Sequence, residues 1–227
     1  MKNFLFSIGL ILFLITKINA HVEHYSKYNY LEYELYRNNK LIGFHRYKFS
    51  RDDKDLNITN EVSFKITKLG VDLYKYYASG VETYKNGKFI GFTSETNQNK
   101  KEKYVNISID PKDKNLIIDG SSYKGKADKE MIIGTWWNHE IVQKKAQISA
   151  VSGRIIEQKV KFVGKEKVKI GDKTYNTLRF NFSSADPSLS KDKKLNTDIW
   201  YEEETFLWVK AAFDKTGYWE YRLKTVK

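Results

Sequence analysis

Apolar and polar residues alternate along most of this chain with a period of two. That spacing sets one face of a β-strand against a core and the other toward water. In YNYLEYELYR, Leu31, Tyr33 and Leu35 fall on one side and Glu32 and Glu34 on the other. DLNITNEVSFKI repeats the pattern, with Leu56, Ile58, Val62, Phe64 and Ile66 against Asn57, Thr59, Glu61 and Lys65. Toward the end, GYWEYRLKTV places Trp219, Tyr221 and Leu223 opposite Glu220, Arg222 and Lys224. Tyr, Phe, Val, Ile and Thr are abundant, as strands prefer. The two prolines, Pro111 and Pro187, sit in polar, turn-like settings where they interrupt no ladder.

The breaks between these runs carry hairpin chemistry. Residues 38–44 read NNKLIGF and residues 86–92 read NGKFIGF. Asn38-Asn39 and Asn86-Gly87 are suited to the positive φ of a tight hairpin turn. The Gly that follows in each return strand (Gly43, Gly91) suits a bulge or a bend. IGDKTYNTLRF and EEETFLWVKAAF read as further hairpins. One stretch, ADKEMIIGTWWNHEIVQKK (residues 127–145), loses the alternation. Thr135 is a plausible N-cap there, with Glu140 early in the helix that would follow. These signals predict a mainly β protein: one large, strongly curved antiparallel sheet or partly open β-barrel built of hairpins. A short helix is expected near 136–143.

The first twenty residues, MKNFLFSIGLILFLITKINA, read as a secretory signal peptide. Lys2 supplies the positive start, Phe4 to Ile15 the apolar stretch, and Ile18-Asn19-Ala20 the cleavage site. The apolar run is shorter than the ~20 residues a membrane helix needs. The expectation is a single mainly-β domain over residues 21–227, exported to the periplasm. No Cys is present, so stability must come from the core and not from disulfides.

The net charge of +12 raises nucleic acid as a partner. Lys supplies 34 of the 40 basic residues and Arg only 6. Phosphate recognition favours the bidentate Arg fork, so the charge reads as a solvated Lys-rich surface and no nucleic-acid partner is expected. Signatures of catalysis are scarce. GxSxG, HExxH, GxGxxG and the Walker loop are all absent, so no cofactor is expected. The acidic turns around Asp52, Asp53 and Asp55 and around Asp110 and Asp113 lack the calcium-loop pattern. His21 and His24 would lie at the new N-terminus, a place where such residues gather by chance, and no metal site is assigned.

Two histidines remain. His45 shares an apolar strand face with Tyr47 and Phe49. His139 adjoins Trp136, Trp137, Asn138 and Glu140 in the segment that breaks the pattern. An enzyme reading, an envelope hydrolase or isomerase, would use His45 or His139 with Asn138, provided the groups converge within ~3 Å. The sequence favours binding over catalysis. With five Trp, sixteen Tyr and thirteen Phe, a curved sheet can line its concave face with rings and hold an apolar or amphipathic, lipid-like ligand. Trp136, Trp137, Trp200 and Trp208 are the candidate lining residues, with His45, Asn138 and Tyr201 as further candidates for ligand binding. An integral outer-membrane barrel also fits the alternation, but frequent Lys on its strands would be costly against lipid.

Four stretches, YELYRNNKLIGFHRYKF, YKNGKFIGF, the WWN of 136–138 and DIWYEEETFLWVKAAFDKTGYWEYRL, together resemble a family of exported proteobacterial proteins of unknown function. His45, Trp137, Asn138, Trp200 and Tyr201 occupy matching positions. Asn39, His139 and Glu202 depart from the family pattern of Gly, Pro and Asp. The resemblance implies fold and compartment. By wider analogy it is similar to curved-sheet envelope proteins that carry lipids or lipoproteins, which makes a lipid or an envelope protein the expected partner.

Overall fold

The alternating runs all become strands. The structure is a computed structural model, and it describes residues 25–191 and 193–227. The leader, its cleavage site, His21 and His24 lie outside the described residues. In chain order the strands are β1 (Tyr30–Arg37), β2 (Lys40–Asp52), β3 (Asp55–Lys68), β4 (Val71–Lys85) and β5 (Lys88–Gln98). Next come β6 (Lys101–Ile109), β7 (Leu116–Gly120), β8 (Lys124–Ala127), β9 (Ile132–Ile133) and β10 (Ala146–Ile148). β11 (Ile155–Ile170), β12 (Lys173–Ser184), β13 (Asn196–Glu202), β14 (Trp208–Asp214) and β15 (Tyr218–Val226) complete the set.

They form one sheet of fifteen strands, ordered 8-7-6-5-4-3-2-1-15-14-13-12-11-10-9. β1 therefore lies mid-sheet, paired with β2 on one side and β15 on the other. Every ladder is antiparallel except the short β9–β10 pair. The two edges, β8 and β9, are consecutive in the chain and do not pair, so the sheet curls without closing. A loop spans the gap. Ser122 donates its N–H to the Ser152 carbonyl at 2.8 Å, and Ser94 Oγ donates to the Ala150 carbonyl at 2.6 Å.

The repeated heptads explain much of the curvature. Both turns take left-handed φ values, 49° and 62° at Asn38 and Asn39, 51° and 70° at Asn86 and Gly87. In each return strand the ladder then slips by one residue, at Ile42 and at Ile90, next to the repeated heptad's Gly. A Cβ on Gly43 would stand 2.0 Å from the Ser63 carbonyl oxygen, so no larger residue fits that bulge.

The inward face is apolar and the outward face is laced with charge. Lys224 bridges Glu32 at 3.4 Å and Glu34 at 3.2 Å, Arg46 meets Glu32 at 2.9 Å, and Lys210 meets Glu220 at 2.7 Å. A membrane-spanning barrel carries the reverse arrangement, an apolar band outside.

The segment between β8 and β11 turns into the concavity. Its helical part is one 3-10 turn, His139–Gln143, shorter than expected. The N-cap is Asn138, not Thr135. Asn138 has extended backbone and its Oδ1 accepts the Glu140 N–H at 3.0 Å. The Thr135 hydroxyl is engaged elsewhere, donating to the buried Glu82 carboxylate at 2.6 Å.

Candidate functional site

The inward-turned segment fills only one end of the curled sheet. There Trp137 is fully buried, edge-on to Tyr25, Phe49 and Tyr84 at ring-centroid distances of 5.5, 5.6 and 6.0 Å. Its indole N–H donates to Glu82 Oε1 at 2.9 Å, beside Thr135, while Tyr84 OH donates to Glu82 Oε2 at 3.0 Å. Burial pushes the Glu82 carboxyl up, and these three donors oppose that shift by favouring the carboxylate. An acidic side chain on β4 thus anchors the start of the inserted segment through Thr135 and Trp137.

The other end is hollow. An open cavity of about 670 Å³ lies between the inserted segment and the turns that join β1 to β2, β3 to β4 and β14 to β15. This volume falls within the ~300–1,000 Å³ usual for small-molecule sites. Trp136, Gly134 and Thr135 form its floor, with Ala150 and Val151. Alternation delivers the walls: His45 and Tyr47 from β2, Asn60, Val62 and Phe64 from β3, Tyr76 and Ala78 from β4, Phe213 from β14, and Trp219 and Tyr221 from β15. The rings are stacked or edge-on to one another. Phe64 lies 4.8 Å from Tyr76 and 5.2 Å from Trp219, and Trp136 lies 5.3 Å from Tyr221. Eight lining residues are aromatic, and among the described lining residues none is acidic. Arg37 and Lys215 stand at the open end.

Polar groups gather deep in this apolar chamber. His45 packs 4.4 Å from Tyr47, 5.8 Å from Trp208 and 5.9 Å from Tyr221. Burial pulls its imidazole down to about 3, so the ring is neutral at physiological pH. His45 Nδ1, Tyr47 OH and Asn60 Nδ2 have no hydrogen-bond partner within the protein. Buried polar atoms in that condition are rare in native proteins.

Of the residues singled out from sequence, His45 and Trp136 line the cavity. Trp208 lies beneath its wall, stacked 3.9 Å from Tyr33, and Tyr201 donates its hydroxyl to the Trp136 carbonyl at 2.9 Å. These two hold the floor in place from below. Trp137 belongs to the packed end. Trp200 points outward, clasped by Arg179 and Lys210, each 4.9 Å from its ring, and its N–H donates to Glu166. His139 stacks on Phe206 at 4.6 Å, and Asn138 is taken up as the N-cap. His45 lines the hollow end, Asn138 lines a second, smaller cavity, and His139 lines neither.

Sequence reasoning passed over Tyr47, Asn60, Tyr221, Trp219 and Glu82. The first four follow from alternation once the inward face is fixed. Glu82 carries no such signal, since an acid on an inward position is found only by seeing its three donors.

Comparisons with known proteins agree with this architecture. The model of a family described as a domain of unknown function (DUF6134) matches residues 33–224, and the chain belongs to that family. No curated protein matches it. Among solved structures it is similar to the crystal structure of a beta-barrel-like protein of domain of unknown function DUF1849 from Brucella abortus. The two share 10% identity over 87% of this chain and 96% of that one, with a TM-score of 0.60. At that identity the likeness is one of fold.

Proposed function

We propose that this member of the DUF6134 family is a binding or carrier module that holds an apolar or amphipathic, lipid-like ligand in the hollow end of its curled sheet. The observation that carries the reading is the cavity itself, about 670 Å³, ringed by aromatic side chains and lined by no carboxylate among the described residues. Water-filled space against so much apolar surface is unfavourable, and a ligand that displaces the water gains from burial. The unpartnered atoms of His45, Tyr47 and Asn60 favour a ligand with one hydrogen-bonding group amid its apolar bulk. A hydroxyl, ester or amide would satisfy them at neutral charge.

The leader sequence supports a role after export, in the periplasm, where an amphiphile needs a chaperone across water. An envelope protein that loads or receives the ligand is part of this proposal.

The test is native mass spectrometry of protein purified from an envelope fraction, followed by organic extraction. One amphiphile per chain is expected in the parent, and none in Ala78→Trp, whose indole would occupy the chamber. A clean unliganded mass for both, with the same result after incubation with envelope lipid extract, would overturn the reading.

A further inference from the structure

Six two-residue hairpin turns in this sheet place a residue in the left-handed region at their first position. Five of those residues are Asn38, Asp53, Asn86, Asn99 and Gly171, the types that reach it most cheaply. The sixth is Leu69, between β3 and β4, at φ 51°. An aliphatic side chain is unfavourable there, and this one gains nothing from packing, because it is 95% exposed. Val71 and Leu73, just beyond the turn, are 61% and 54% exposed. The turn therefore carries a local conformational cost and an apolar tip that the fold itself does not use.

Its position gives the tip a purpose. Leu73 and Tyr74 line the open end of the cavity, so the hairpin is one lip of the mouth. Around it the charge has one dominant sign. Lys65, Lys68 and Lys75 flank the tip, and the one acid between Lys65 and Lys75, Asp72, is already held by Thr67 Oγ1 at 2.8 Å and Lys75 at 3.1 Å. Exposed Lys40, Lys100, Lys101 and Lys215 lie in or beside the other turns at the same end, where they outnumber the exposed acids Glu102 and Asp214. The acidic turn Asp52-Asp53-Lys54-Asp55 is at the opposite end of the same strands.

We infer that the Leu69–Leu73 hairpin is a membrane-docking tip that seats the cavity mouth on a bilayer surface rich in anionic lipid. Three apolar side chains reach the headgroup–acyl boundary while the surrounding lysines meet lipid phosphates. This is the pairing by which peripheral proteins bind reversibly. An apolar tip alone would fit a protein partner equally well. The ring of lysines around it selects an anionic, fluid surface. The inference stands on the turn and its surroundings, and holds whether or not the cavity takes a lipid.

Flotation of the purified protein with liposomes tests it. Vesicles of phosphatidylethanolamine with phosphatidylglycerol should carry the protein upward, and pure phosphatidylcholine vesicles should carry at least tenfold less. Leu69→Asn combined with Val71→Thr should lower binding at least fivefold while leaving the melting temperature equal or higher, since Asn suits the turn better. Lys65→Gln with Lys68→Gln should lower binding and weaken its salt dependence. Absence of flotation with anionic vesicles, or binding that the Leu69→Asn/Val71→Thr variant retains in full, would overturn the inference. Capture by a protein partner without vesicle binding would do the same. Ligand retention in the cavity is read separately by mass, so loss of docking and loss of ligand binding are distinguishable.

Discussion

The two ends of the curled sheet are built from the same strands and filled in opposite ways. At one end Trp137, Tyr25, Phe49 and Tyr84 interlock around a buried carboxylate. At the other, His45, Phe64, Trp219 and Tyr221 face open space. Aromatic composition does not separate them, since β3 alone contributes Leu56 and Ile58 to the packed end and Val62 and Phe64 to the hollow one. What separates them is the inserted segment after β9, which packs Trp137 and Ile141 into one end and leaves the other open. One end supplies stability, the other supplies space.

This division is open to attack by substitution, and the largest effect belongs to the packed end. Trp137→Ala should cost about 3–5 kcal/mol in chemical denaturation, through the cavity it leaves and the contacts it removes. Phe64→Ala, at the hollow end, should cost roughly half of that or less, because its ring already borders open space. Equal losses at the two sites would erase the distinction.

Next in size is the anchor. Glu82→Leu strands the Thr135, Trp137 and Tyr84 donors, and an unfolding free energy lower by about 1–3 kcal/mol is expected. The variant should also loosen the inserted segment, read as faster amide exchange over residues 131–143 than over β1 and β15.

A pH comparison addresses the hollow end. His45 titrates in the unfolded chain near its ordinary 6.5 and in the folded protein at about 3. Below pH 6.5 the unfolded state takes up a proton that the native state refuses, so stability falls as pH drops toward 3. Between pH 7.5 and 5.0 the His45 contribution to that fall is up to about 2 kcal/mol, at 1.36 kcal/mol per unit. His45→Phe should remove it while leaving the urea midpoint at pH 7.5 nearly unchanged. The raised Glu82 carboxyl works in the opposite sense, lowering stability as pH rises above 4.5, and it cancels between the two proteins. Identical acid profiles would show that His45 is already solvated or charged. The smallest effect is Leu69→Asn, a stability gain of under ~1 kcal/mol from relief of the left-handed turn.

Much of this architecture was legible in the sequence, for a physical reason. Period-two alternation and Asn/Gly turns are local signals, and a sheet of sequential hairpins is assembled almost wholly from local pairings. The bulges foretold by Gly43 and Gly91 occur at the preceding residues, Ile42 and Ile90. The helix signal was weaker. A 3-10 turn needs only a few residues and a cap, and tertiary contact with Glu82 decided that Thr135 would not be that cap. The site was legible only in part. Alternation tells which residues face inward, but not where along the barrel filling stops. Trp136 and Trp137 are adjacent in sequence, and the turn they occupy sends one ring to the cavity floor and the other into the core. Trp200 was misleading for a related reason. A tryptophan in a strand reads as inward, yet Arg179 and Lys210 cover it on the convex face.

The most direct measurement of the account is a binding titration with a single-chain acyl fluorophore, run on the parent protein and on Ala78→Trp. The parent should show saturable one-site binding with emission shifted to that of an apolar environment. Ala78→Trp should lose it while melting within a few degrees of the parent. Undiminished binding in Ala78→Trp, or no saturable site in the parent, would contradict the claim that the hollow end of the sheet is where this protein holds its ligand.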